Sequence, residues 1–115
     1  MTTDVNFDVA QSEVGGVPVL AVRGEVDVST APELRERLLA LAEQGTTIAV
    51  VDLSQVSFVD STALGVLVSG VKRLRTTGGD LRLVVTQPHI AKVFEITGLT
   101  EVFKIFASAD EAVAG

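Results

Sequence analysis

The chain has no cysteine, no tryptophan and no tyrosine, and a single histidine, in 115 residues. Without a thiol there can be no disulfide, no thiolate metal site and no cysteine nucleophile. Without Trp or Tyr the near-ultraviolet absorbance is close to nil. The one histidine, His89, stands in the first turn of an expected helix and reads as an exposed surface residue. No G-x-S-x-G elbow surrounds any serine, so a hydrolase triad has no support. Neither a G-x-x-x-x-G-K-[ST] loop nor a G-x-G-x-x-G loop occurs. Glu25, Asp27, Asp52 and Asp60 are carboxylates, but their spacing favours no metal site. No cofactor is expected.

Long apolar runs are also missing. Nothing approaches the roughly 18 residues of a membrane span, and even "TTIAVVDL" is cut by Asp52. The first ten residues carry Asp4 and no Lys or Arg, so they are not expected to act as a secretory signal. A cytoplasmic location and no membrane partner are the expectations. Positive charge is scarce as well: nine basic residues face fifteen acidic ones, for a net charge of −6. A phosphate backbone would be repelled on average, and no basic stripe with interleaved aromatics is present. Direct binding to nucleic acid is not expected. Lys72, Arg73 and Arg75 form the one basic cluster and read as the solvent face of a helix.

What is present is a globular composition, 47% apolar and 21% charged. Residues 1–4 are expected to be loose and residues 5–113 to form one folded unit. "VNFDVAQ" and "VPVLAVRG" read as two strands joined by a turn at "EVGG", an antiparallel hairpin. "STAPELRERLLALAEQG" reads as a helix, with Leu34, Leu38 and Leu41 on one face. Thr30-x-x-Glu33 matches a capping box, and Pro32 falls in the first turn, where a missing N–H costs little. "TIAVVDL" reads as a strand buried on both faces. A second helix follows, with Leu64, Leu67, Val68, Val71 and Leu74 at helical spacing and "TTGGD" as its stop. "LRLVVT" is a strand and "QPHIAKVFEITG" a third helix, with Ile90, Val93 and Phe94 on one face and Gly98 as an αL cap. "VFKIF" is a short last strand and "ADEAVA" a terminal helical turn. After the hairpin, strand and helix alternate, which implies parallel strands and right-handed crossovers. The fold class is α/β, with a mixed, largely parallel sheet of four to five strands.

Sites in such sheets gather beyond the carboxyl ends of the strands. Two segments reach that edge: "RGEVDVST" before the first helix and "SQVSFVDST" before the second. They bring Asp27 and the group Asp60-Ser61-Thr62 to one rim. Asp or Ser at a helix start is a favoured cap, worth about 1 kcal/mol over Ala. Capping accounts for one of these residues, not for two hydroxyls behind a carboxylate. Gly65 and Gly70 each cost a helix roughly 1 kcal/mol relative to Ala. They permit close approach, either of a neighbouring element of the fold or of a partner.

Three blocks carry a family likeness: "RGEVDVSTAPELRERL", "VVDLSQVSFVDSTALGVLVSGVKRLRTTGGDLRLV" and "VFEITGLTEVFKIFASADEAV". In order and spacing they resemble the STAS domain, and more narrowly the stand-alone bacterial anti-sigma factor antagonists, over nearly the whole chain from Val5 to Val113. The resemblance implies a STAS-like α/β domain that is not an enzyme. It implies that the unmodified protein binds an anti-sigma factor that is also a serine kinase, which frees a sigma factor. The kinase then uses ATP to phosphorylate the serine of the D-S-[ST]-[GA]-L-G motif, binding ends, and a serine phosphatase restores the protein. Here the motif is Asp60-Ser61-Thr62-Ala63-Leu64-Gly65, so Ser61 is the matching acceptor. Ala63 stands where members often have Gly. Asp27 matches the acidic position of the family's G-E-[LV]-D segment, here Gly24 to Asp27. By the same likeness Asp27, Ser29, Asp60, Ser61, Thr62, Leu64 and Gly65 are expected to face the partner. Two other readings stand beside this one. The first is a STAS scaffold subunit of a larger signalling or transport assembly, with Ser61 unused. The second is a small enzyme or nucleotide binder.

Overall fold

The computed structural model describes residues 7–115. The expected loose residues 1–4 and the start of the first strand at Val5 lie outside them. Strand β1 (Asp8–Val14) and strand β2 (Val17–Val26) form the antiparallel hairpin. Its turn is shorter than "EVGG": Val14 pairs with Val17, and only Gly15 and Gly16 lie between them. Both glycines have positive φ, 58° and 81°. A two-residue turn needs this to match the twist of its strands. Helix α1 (Ala31–Glu43), strand β3 (Ile48–Val59), helix α2 (Ser61–Arg75), strand β4 (Asp80–Val84), helix α3 (Pro88–Ile96), strand β5 (Lys104–Phe106) and helix α4 (Ala109–Ala114) follow. A single 3-10 turn at Leu99–Glu101 lies between α3 and β5. Sheet order is β1-β2-β3-β4-β5, and every pair after the hairpin is parallel.

The helical spacings set the core. Leu34, Leu38 and Leu41 of α1, with Val66, Leu67, Val71 and Leu74 of α2, are all buried against the sheet. Each large aliphatic side chain taken wholly out of water contributes about 1.5–3 kcal/mol. Ile90 and Phe94 extend the same core under α3, and Phe94 meets Phe103 edge to face at 6.0 Å. Val93, expected on that apolar face, is only partly buried. Helix α4 covers the opposite face of the sheet with a smaller cluster around Val19, Val50, Val84 and Ala112. Arg82 ties that helix down, its guanidinium donating to the carbonyls of Ala112 and Val113 at 2.9 and 3.4 Å. Ala49, Val50 and Val51 are fully buried, as a central strand requires.

Strand β3 is longer than its apolar run suggests. It has 12 residues and includes "SQVSFV", a segment expected to be a loop. Two irregularities in the β2–β3 register explain this, one between Ala21 and Arg23 and one between Gly24 and Glu25. Each places an extra β3 residue against β2, and an extra residue flips the inward face. The buried positions therefore run Val51, Leu53, Val56, Val59, which no longer alternate. Pairing with β4 ends at Asp52–Val84, so the last half of β3 has no strand on that side. Side chains at the start of α3 take its place: Nε2 of Gln87, the N-cap residue, donates to Ser54 O and His89 Nε2 meets Ser57 O, both at 2.8 Å. A carbonyl only accepts, so Nε2 of His89 carries the proton. His89 is exposed, as expected, and is also a tie between α3 and β3.

Candidate functional site

Strands β2 and β3 end side by side, with Val26 paired to Val59. The next residue of each chain segment is an aspartate. The Asp60 N–H donates to Val26 O at 3.2 Å, so Asp27 and Asp60 leave neighbouring strands at one rim. The topology thus joins the two segments that the sequence placed at this edge.

On the β2 side Asp27 organises the entry to α1. Its Oδ1 accepts from Ser29 N at 2.9 Å, Ser29 Oγ at 2.8 Å and Thr30 N at 3.2 Å. Its carbonyl accepts from Ala31 N at 2.7 Å. These donors, with the Ser29 hydroxyl first, hold the Asp27 carboxyl below the usual carboxylate range. The capping box expected at Thr30 and Glu33 does not form: Thr30 makes no side-chain cap bond. Its hydroxyl turns back instead, donating to Glu25 O at 2.8 Å and accepting from Asp27 N at 2.9 Å. Asp27 takes the N–H groups of Thr30 and Ala31, the Glu33 N–H goes to the Thr30 carbonyl at 3.1 Å, and the Thr30 hydroxyl is left to lock the loop from below. Thr30 is buried with both roles satisfied.

On the β3 side the division of labour is different. Asp60 is the N-cap of α2, its Oδ1 accepting from Ala63 N at 3.0 Å, while its carbonyl accepts from Leu64 N. One residue does the capping, and it is the carboxylate. Ser61 and Thr62 are exposed in the first turn. Among the described residues neither hydroxyl has a protein partner. Ser29 is exposed too, but its hydroxyl is held by Asp27. Leu64 is half-buried against the core, and Gly65 is exposed. Ser61, Leu64 and Gly65 fall at i, i+3 and i+4 and share one face of the helix.

The two helical glycines have separate reasons. A Cβ on Gly65 would meet nothing within 4 Å, so no neighbour in the fold requires its smallness. A Cβ on Gly70 would lie 3.0 Å from Leu38 Cδ1 and 3.5 Å from Leu81 Cδ2, so Gly70 lets α2 close on α1 and the sheet. Two residues not foreseen also belong to this rim. Val28 is 71% exposed between Asp27 and Ser29, and Phe58 is 48% exposed two residues before Asp60. They are two of the three large apolar side chains left open to solvent among the described residues. The available signal was Val28 itself, an apolar residue inside a polar turn. Among the described residues no three His, Asp or Glu side chains gather to hold a metal ion. No described helix is long and apolar enough to cross a membrane.

The STAS domain family model matches residues 9–112. The chain is 40% identical over 110 residues to the anti-sigma-B factor antagonist of Bacillus subtilis, covering 96% of this chain and 98% of that protein. A crystal structure of an anti-sigma factor antagonist from Mycobacterium paratuberculosis superposes with a TM-score of 0.87 at 27% identity, over 99% of this chain and 97% of the other. The phosphorylated form of the Bacillus cell fate determinant SpoIIAA shares the fold, with a TM-score of 0.71 at 24% identity over 94% and 96% of the two chains. The chain belongs to the STAS domain family, among the anti-sigma factor antagonists.

Proposed function

We propose that the unmodified chain binds an anti-sigma factor that is also a serine kinase, that this binding releases a sigma factor, and that phosphorylation of Ser61 ends it. The observation that carries the reading is the separation of roles at the start of α2. Asp60 supplies the cap, so the exposed Ser61 hydroxyl carries no structural duty. The kinase transfers the γ-phosphoryl of ATP to Ser61 Oγ, the hydroxyl proton leaves and ADP is released. A serine phosphatase reverses the change with water. The chain itself catalyses neither step, and the exchange takes place in the cytoplasm, where sigma factors act.

The unmodified rim suits a protein partner. Phe58 and Val28 offer exposed apolar area beside the acidic edge, and an aromatic side chain that becomes desolvated commonly dominates an interface. Asp27, Ser29, Thr62, Leu64 and Gly65 complete the contact surface, Gly65 by leaving room for the partner over the first turns. A phosphate adds about −1.5 to −2 charges. In the free protein the α2 N-terminus offsets part of its repulsion from Asp60 by about 0.3–1 kcal/mol. Against a partner carboxylate at about 5 Å, each unit pair costs roughly 1–3 kcal/mol. About 3 kcal/mol weakens binding by more than a hundredfold.

Pull-downs from the native cell with wild-type and Ser61→Glu baits, read by mass spectrometry, test the reading. The wild-type bait should capture a kinase-type anti-sigma factor that the variant does not. Phosphate mapped to Thr62, Ser57 or Ser29 in place of Ser61 would show that the wrong hydroxyl was chosen.

A further inference from the structure

We propose that the groove between α1 and α2 is a binding site for a small amphiphilic anion, an apolar chain carrying a carboxylate or phosphate head. The groove holds about 380 Å³, within the range of roughly 300–1,000 Å³ usual for small-molecule sites. Its apolar lining is Leu38, Leu39 and Val66 with the bare backbone of Gly70, and its exposed lining is three cations, Arg35, Lys72 and Arg73, with the neutral Ser69 and Thr76. No Asp or Glu lines it. Among the described residues the one ion pair is Arg75 with Asp80 at 2.9 Å, so these three cations have no carboxylate partner there.

Solvation of a helix face does not account for this arrangement. Arg75, the third member of the basic cluster, is engaged by Asp80 and by the carbonyl of Val102. Lys72 and Arg73 lie in the last turn of α2, where the helix dipole favours positive charge. Arg35 gains nothing comparable, because it lies near the start of α1, the end that favours acid. Its place is explained by the groove it shares with Arg73 and Lys72. A third of the chain's nine basic residues thus converge on one apolar cleft in a protein of net charge −6. The complementary ligand has an apolar body over Leu38, Val66 and Gly70 and an anionic head among the cations, where guanidinium pairs favour carboxylate or phosphate. Arg73 stands about 18 Å along α2 from Ser61, at about 1.5 Å per residue. The cationic end of the groove is thus remote from Ser61, while its apolar end at Val66 adjoins Gly65 of the rim proposed to meet the anti-sigma factor.

The test is titration of the full chain with decanoate, followed by amide and methyl NMR, with decanol and acetate as controls. Saturable shifts should appear at Leu38, Val66 and Gly70. Decanol, which lacks the charge, and acetate, which lacks the chain, should each bind about tenfold more weakly or worse. Arg35→Gln and Arg73→Gln replace exposed side chains; the double variant should lose about tenfold or more in decanoate affinity while its spectrum stays that of the folded protein. Absence of saturable shifts at millimolar decanoate would overturn the proposal. So would decanol binding equal to decanoate, or full affinity in the double variant. Sedimentation with phosphatidylglycerol vesicles without binding of monomeric decanoate would make the occupant a membrane surface, and would overturn it too.

Discussion

Replacing Asp60 by alanine should cost far more stability than replacing Ser61, although the two residues are neighbours and both stand at the start of α2. The Asp60 Oδ1 bond to Ala63 N, at 3.0 Å, satisfies one of the helix's orphan donors. Loss of such a cap costs about 1 kcal/mol, within a range of about 0.5–2. Unfolding entropy near 60 °C is about 2.1 cal/mol/K per residue, hence about 0.24 kcal/mol/K for a chain of this length. One kcal/mol then lowers Tm by about 4 °C. Asp60→Ala should therefore melt about 2–8 °C below wild type in differential scanning calorimetry. Asp60→Asn keeps the acceptor and loses only the charge at the helix N-terminus, so it should fall between the two. Ser61→Ala removes an exposed hydroxyl without a protein partner and should stay within about 2 °C of wild type, the range of ordinary surface changes. A drop in Ser61→Ala equal to that in Asp60→Ala would refute the reasoning, because Ser61 would then share the cap.

Other consequences follow from individual contacts. Asp27 titrates below the ordinary carboxylate range because Ser29 and Thr30 donate to its charged form. Its contribution to stability is thus fully present above the unfolded value of about 3.9 and is lost as pH falls through the lowered native value. Carboxyl-carbon NMR should give Asp27 a midpoint below 3.8, and Ser29→Ala should raise it. Arg82→Met removes the donor to the last carbonyls of α4, a charged-group bond worth about 1.5–3 kcal/mol, so α4 amides should exchange faster than those of β3. Gly65→Ala adds a Cβ in open space and should raise stability by up to about 1 kcal/mol. Gly70→Val must push aside Leu38 and should lower it by about 1–3 kcal/mol. Paired chemical denaturation curves compare the last two.

Much of this architecture could be read from residue spacing. The leucines of α1 and α2 fall at helical intervals because one face of each helix is buried. The hairpin was legible from its glycines, and the parallel order from the alternation of strand and helix. The last half of β3 was not, because its two register shifts break the period of two that marks a strand. The Thr30 capping box was misleading for a different reason. A side chain three residues earlier, Asp27, takes the Thr30 N–H that the Glu33 carboxylate would accept, the Thr30 hydroxyl turns to Glu25 O, and the Glu33 N–H goes to the Thr30 carbonyl. Strand order brought Asp27 beside Asp60, and no local pattern could fix that distance. At the site, the sequence left Asp60 and Ser61 as equal candidates for the cap. The bond from Ala63 N separates them. Val28 stands out in the sequence only as an apolar residue inside a polar turn, and nothing local separates Phe58 from core, because exposure is a property of the finished surface.

The most direct measurement is the affinity of the purified cognate anti-sigma factor for this chain, unmodified and stoichiometrically phosphorylated at Ser61, by isothermal titration calorimetry. The phosphorylated chain should bind more than a hundredfold more weakly while its melting temperature stays within a few degrees of the unmodified form. Equal affinity of the two forms would contradict the account.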